Sequence, residues 1–217
     1  MTAAVIFDFD GTIIDTETAQ YESVNAEFQR HGVTYDLELF KSGIGGADHR
    51  HWTEVLQGLV GPIDDLAAVQ ERRLKANYQR VESVELRPGV LEVIEMTERA
   101  GLPLSVASSS PSSWVEHHLE ARDLRRRFAN VSTRDFVEHA KPWPDVFLHA
   151  AEQLDVEPRE CVVIEDSANG VTAAKAAGMT CVVVTNRITR DADFSGADYV
   201  LETLLDFPAE LLSPPIR

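Results

Sequence analysis

The sequence predicts a doubly wound α/β fold, a parallel sheet with helices on both faces, and a small helical unit inserted after the first strand. Three observations carry this. Residues 3–7, Ala-Ala-Val-Ile-Phe, are apolar throughout, without the alternation of a half-exposed strand, as in strands covered on both faces. A second such run, Cys-Val-Val-Ile at residues 161–164, also ends in two acids. Strand-like and helix-like segments alternate from Pro88-Gly89 onward, whereas residues 15–85 read as helices only.

The first strand runs into Asp8, Asp10 and Gly11. Residues two apart on an extended backbone project to the same side, so Asp8 and Asp10 can face one point while Phe7 and Phe9 turn away. Gly11 then lets the chain turn. Open α/β sheets bind ligands beyond the carboxyl ends of their strands, although an isolated Asp-x-Asp also fits a plain acidic turn. After Thr12 the pattern becomes helical. Asp15 or Thr16 can cap a helix carrying Tyr21, Val24 and Phe28, which Gly32 ends. Gln20 lies on it near the site. A glycine-rich break at residues 42–47 precedes a helix from Asp48 bearing Trp52, Val55, Leu56 and Leu59 on one stripe. Gly61-Pro62 breaks the chain again, and a third helix over residues 64–81 aligns Leu66, Val69, Leu74, Tyr78 and Val81. The division expected is a core of residues 1–14 and 86–217 and a helical cap of residues 15–85.

In the second half a helix ends at Gly101, and residues 102–107 form a strand leading into Ser108-Ser109-Ser110-Pro111. Ser110 is expected to cap the next helix, leaving Ser108 at the strand end beside exposed amides. That is an anion site, or only a capping run. Lys141 stands before two prolines that hold the backbone extended, with Trp143 expected to pack and a helix to begin near Pro144. A lone lysine equally suits a solvated surface. Residues 161–166 repeat the strand-then-acids pattern at Glu165 and Asp166, and an alanine-rich helix follows and stops at Gly178. Strands at residues 181–184 and 198–201 extend the sheet, and the tail beyond Leu212 reads as loose. Two acid-tipped strands at one sheet edge make an oxygen-rich pocket that suits a hard cation.

Composition bounds the function. A chain of 217 residues with 44% hydrophobic residues can bury one core plus a smaller unit. A formal net charge of −16 argues against nucleic acid and against an anionic membrane surface. The N-terminus carries no basic segment followed by a long apolar stretch, and no window is apolar enough to span a membrane, so a cytoplasmic location is expected. Cys161 and Cys181 open apolar runs and read as buried, reduced thiols.

Asp8-Phe-Asp-Gly-Thr12, Ser108, Lys141-Pro-Trp-Pro-Asp145 and Glu165-Asp166 followed by Ser167 occur in the order of the four motifs of the haloacid dehalogenase superfamily, whose members are mostly phosphatases. The resemblance spans almost the whole chain. It implies a Mg2+-dependent phosphatase acting on a small phosphorylated metabolite, as a monomer or dimer. Asp8 is then the nucleophile that forms an aspartyl-phosphate and Asp10 the general acid and base, with Lys141 neutralising charge. Ser108, Ser109, Gly11 and Thr12 would hold phosphate, and Gly45, Gly46 and Arg50 of the cap loop would read the substrate. Asp8, Asp10 through its carbonyl, Glu165 and Asp166 would hold the metal. The chemistry is coherent, since a carboxylate attacks an anionic phosphate only where a cation cancels the repulsion and an acid protonates the leaving alcohol.

β-Phosphoglucomutases resemble the whole chain too. They carry a histidine where this chain has Gln20 and an arginine near Gly45-Gly46-Ala47. Dehalogenases lack an acid at the position of Asp10, and the phosphonate-cleaving branch has a small residue there and an added cap lysine. A receiver-like phosphate-regulated binding module also gathers acids and a lysine at a sheet edge, but has neither the inserted helices nor the Asp-x-Asp spacing.

Overall fold

The computed structural model describes residues 1–42, 44 and 51–212. Six strands form one sheet in the order β3-β2-β1-β4-β5-β6, every neighbouring pair parallel. They are β1 (Ala4–Phe7), β2 (Leu104–Ser108), β3 (Asn130–Thr133), β4 (Cys161–Glu165), β5 (Thr180–Val184) and β6 (Tyr199–Leu201). The order reverses at β1, where the chain leaves toward β2 and β3 and later returns on the other side through β4. Ligand crevices of open α/β sheets form at such a reversal.

The unbroken apolar runs follow from burial on both faces. Val5 and Phe7 point to one side with Val106, Val162, Ile164 and Val182. Helices α5 (Val90–Arg99) and α6 (Ser112–Glu120) cover that side through Val93, Ile94, Val115 and Leu119. Ala4 and Ile6 point to the other side with Val163, Cys181 and Val183, under α7 (Asp145–Gln153) and α8 (Ala168–Ala176). Each fully buried valine, isoleucine or phenylalanine side chain contributes about 1.5–3 kcal/mol against exposure. Both cysteines are buried and free.

Between β1 and α5 lie α1 (Thr16–Arg30), α2 (Leu37–Lys41), α3 (Trp52–Val60) and α4 (Leu66–Glu82). Val24, Phe28, Tyr35, Phe40 and Leu56 gather in a separate apolar cluster with Ile188. Asp15 caps α1, accepting from the Thr18 amide at 3.0 Å. The buried Glu27 of α1 accepts from Arg72 of α4, with the Nη2–Oε2 distance at 2.6 Å. The entering and leaving segments run together, since Ile14 bridges Leu86 and the Arg87 amide donates to the Ile13 carbonyl at 3.0 Å.

Several local expectations are corrected. Ser110 does not cap α6. Pro111 holds the cap position without a side-chain bond, and the Ser112 amide instead donates to Asp135 Oδ2 at 2.7 Å. The amides at that helix start are therefore less open to an anion than expected, because the Ser110 amide is also taken, by Ser108 Oγ at 3.0 Å. Trp143 is 59% exposed, with the His139 ring 5.2 Å from its own. Leu59 and Leu74 also stand out of the core, Leu74 because it faces a cavity. Helix α2 and strand β3 are additions that hydrophobic period did not signal. Asp48 and the tail beyond Leu212 lie outside the described residues.

Candidate active site

A cavity of about 570 Å³ opens between the carboxyl ends of β1, β2 and β4 and the helices α1 and α4. Register builds its floor. Phe7 pairs with Ile164, so Asp8 and Glu165 leave the sheet side by side, and the Asp8 amide continues the ladder to the Ile164 carbonyl at 2.8 Å.

Lys141 bridges the two strands. Its Nζ donates to Asp8 Oδ1 at 2.5 Å and to Glu165 Oε1 at 2.6 Å, with the lysine side chain 2% exposed. Its Nζ also stands 4.7 Å from the centroid of the Phe147 ring, and its amide donates to Ser109 Oγ at 3.3 Å. Glu165 Oε2 accepts from the amides of Asp166 and Ser167 and from the Ser167 hydroxyl at 2.8, 2.9 and 3.0 Å. Both oxygens of Glu165 are thus engaged. Asp8 Oδ2, in contrast, is buried with no hydrogen-bond partner among the described residues.

Ligand atoms of Asp8, Glu165 and Asp166 lie within 4.8 Å of one another, a group able to hold a cation. Its hard carboxylate oxygens, and the unpartnered Oδ2 among them, fit a divalent ion such as Mg2+ or Ca2+. Close approach around this group depends on two glycines. Gly11 takes φ +82°, and a Cβ there would lie 2.1 Å from Asp166 Oδ2. A Cβ on Gly170 would lie 1.8 Å from Glu165 Cδ.

The charges explain the titration. Burial pushes the Asp8 carboxyl up to about 7, with Glu165 and Asp10 adding to the rise and Lys141 opposing it. Asp166 is raised well above the ordinary carboxylate value by burial and then by Glu165 and Asp8. Burial pulls the Lys141 ammonium down, but Asp8 and Glu165 outweigh it and hold the net pKa above its usual value. Among the carboxyls that border the cavity, Glu17 of α1 is pushed up to about 8 by burial and by Asp10, Asp8 and Asp15.

Asp10 is held separately. Its Oδ2 accepts from Ser110 Oγ at 2.5 Å and from Ser108 Oγ at 3.4 Å, and its Oδ1 accepts from Trp114 Nε1 at 2.9 Å. Thr12 is buried, its hydroxyl unpartnered among the described residues. Asp8, Asp10, Ser108, Ser109, Lys141, Glu165 and Asp166 therefore meet at one cavity. Gly45, Gly46 and Arg50 lie outside the described residues. Gln20 lines the cavity, and His51 stands at its wall.

Several residues at this site are not evident from local sequence. Arg87 donates to the carbonyls of Gly11, Val184 and Thr185 at 2.5, 3.2 and 2.5 Å, joining the turn after β1 to the end of β5. Asn186 Nδ2 donates to Asp166 Oδ2 at 2.6 Å. On the helical side, Glu17, Arg73 and Asn77 face the cavity. The Nε of Arg73 is buried without a hydrogen-bond partner among the described residues, and burial pulls that guanidinium down to about 10 against the pull of Glu17. Each is a single polar residue in an ordinary helix or turn, and only the fold brings it to the acids.

A parallel sheet with a lysine-bridged carboxylate pair at its reversal point defines a hydrolase of the haloacid dehalogenase type. The haloacid dehalogenase-like hydrolase family matches residues 2–178, and the chain belongs to it. A Bacillus subtilis protein carrying the phosphatase name YhcW is 39% identical over 98% of this chain and 96% of its own. The fructose-1-phosphate phosphatase YqaB of Escherichia coli is 33% identical over 84% of this chain and 96% of its own. Among solved structures, a variant of CbbY from Rhodobacter sphaeroides in complex with xylulose-1,5-bisphosphate superposes with a TM-score of 0.79. It is 29% identical, with 95% of this chain and 96% of that one covered.

Proposed function

We propose that this chain is a Mg2+-dependent phosphatase that hydrolyses a small phosphate monoester, a sugar phosphate or similar metabolite, through an aspartyl-phosphate on Asp8. The observation that carries this reading is the buried Asp8, with one oxygen held by Lys141 and the other without a partner among the described residues. A carboxylate so arranged is fixed in direction by Lys141 and is left open to a cation and a phosphoryl group. The names of YqaB and of the CbbY complex support a phosphorylated sugar as the substrate class.

In the first step Asp8 forms a bond to phosphorus as the ester P–O bond breaks, and Asp10 gives a proton to the departing alcohol oxygen. Lys141 and Ser108 bind the phosphoryl oxygens, Lys141 by charge and Ser108 by its hydroxyl. In the second step Asp10 takes a proton from water, whose oxygen attacks phosphorus and releases inorganic phosphate and the Asp8 carboxylate. Asp8, Asp166 and the Asp10 carbonyl would hold the metal. Glu165, whose oxygens are already bonded, would act through water and orient Lys141. When bound, the cation neutralises the carboxylates and the phosphoryl oxygens.

The helices of residues 15–85 act as a cap over this centre, with Glu17, Arg73 and Asn77 reading the leaving group. Gln20 on that surface has no acid–base chemistry to offer, which favours hydrolysis over mutase turnover. Phosphate release from a panel of sugar phosphates, phosphoglycolate, nucleotides and polyol phosphates tests the reading, with Mg2+ or chelator and with Asp8→Asn alongside. Release that needs metal and is lost in the variant supports it. No release from any member by folded wild-type protein, or release that persists in Asp8→Asn, overturns it.

A further inference from the structure

Asp10 is the acid on which both proposed steps turn, and its orientation is not set by its own strand end. An aspartate carboxyl rotates broadly about its last bond. Here one oxygen is met by serine hydroxyls, which rotate to suit, and the other by the Trp114 indole, a rigid group that can only donate. The indole is itself clamped. Its ring meets Tyr78 of α4 edge-on at 4.9 Å and His118 edge-on at 4.2 Å. His118 in turn stacks on Phe9, the residue between the two aspartates, at 6.3 Å.

Satisfying the indole does not explain this contact. Trp114 lines the cavity and is only half buried, so solvent could accept from its N–H. The aromatic group instead joins a residue of the inserted helices, Tyr78, to the acid. We infer that Trp114 is a positioning residue that aims the Asp10 carboxylate, and that Tyr78 seats the indole so that the aim depends on the inserted helices resting on the sheet edge. The inference rests on the phosphatase reading for its kinetic consequence, but its geometry can be tested without turnover.

Trp114→Phe keeps the ring contacts and removes the donor. With p-nitrophenyl phosphate, whose leaving group departs without a proton, the variant should still release about one equivalent of nitrophenolate in the first turnover. The following steady rate, which needs Asp10 to activate water, should fall roughly 10- to 100-fold, the scale of one charge-assisted hydrogen bond. With an alkyl phosphate both phases should slow. Tyr78→Phe should match wild type, and Tyr78→Ala should shift the steady rate in the same direction. A steady rate within about twofold of wild type, or a first turnover lost together with the steady rate, overturns the inference.

A second readout needs no activity. The indole N–H signal of Trp114, identified by its absence in Trp114→Phe, should move and exchange faster in Asp10→Ala. An unmoved signal overturns the positioning role whatever the kinetics. Wild-type protein that turns over no phosphate ester, with the indole signal responding to Asp10→Ala, would overturn the phosphatase reading and leave the geometry supported.

Discussion

Removal of the Lys141 ammonium is the sharpest perturbation of this site, and Lys141→Met is the variant to use, because methionine is a flexible, unbranched side chain that fills much of the same space without the charge. The lysine is buried and contacts two buried carboxylates at 2.5 and 2.6 Å. Taking one partner from a buried pair costs about 3–5 kcal/mol, chiefly through the charge left behind. For a chain of this size each kcal/mol moves the melting temperature by about 2–4 °C, so the variant should melt roughly 6–20 °C below wild type. The deficit should also depend on pH. Lys141 lowers the Asp8 pKa, so without it the native carboxyl pKa rises further. A carboxyl raised above its unfolded value contributes stability at low pH that is lost as pH rises through the folded value. The deficit should therefore be small near pH 5 and largest near pH 8. Thermal unfolding in chelator, followed by circular dichroism at both pH values, measures it. A deficit under about 2 °C at pH 8, or one equal at the two pH values, would refute the argument that Lys141 holds the carboxylates together.

Other outcomes follow from the same geometry. In chelator, wild-type stability should fall between about pH 4 and 8 relative to Asp8→Asn, because the Asp8 carboxyl, raised to about 7, binds its proton in the folded state; melting curves of the two proteins check this. Added Mg2+ should recover stability at the high-pH end, and should do so much less in Asp166→Asn. Gly170→Ala places a Cβ 1.8 Å from Glu165 Cδ and should cost about 1–3 kcal/mol, as overpacking does, read by urea unfolding. Arg73→Met should raise KM about 10- to 100-fold with a smaller change in kcat, the scale of hydrogen bonds to a charged group, in steady-state assays on whichever substrate the panel identifies.

The parts of the fold legible in the sequence are those that local chemistry specifies. Residues 3–7 and 161–164 show burial on both faces because nothing polar interrupts them, and the acids that end them locate the sheet edge. Asp15 and Gly32 bound α1 by capping and by a left-handed turn at φ +75°. Strand β3 is not legible, since Asn130, Ser132 and Thr133 are polar, and the buried Ser132 and Thr133 find partners only in the fold, in the Ser132–His149 contact at 2.8 Å with α7 and the Thr133–Ser112 contact at 2.6 Å with α6. Ser110 shows the opposite failure. A serine before a helix reads as a cap, yet Asp10 draws its hydroxyl across 100 residues of sequence. Arg87, Asn186 and Trp114 share this property, since each acts through a partner far along the chain that no periodicity or spacing signals.

The bridge between Ile14 and Leu86 bears on how such a chain can diversify. The closure cost of a loop grows only with the logarithm of its length, and here the two ends of the insertion are already fastened to each other by Ile14–Leu86 and by the Arg87 amide on Ile13. The sheet consequently senses a short hairpin-like base, whatever lies beyond it. Helices could be lengthened, exchanged or replaced above that base without altering the pairing of β1 with its neighbours. The pairing of the sheet and the make-up of the helices above it can therefore change at independent rates.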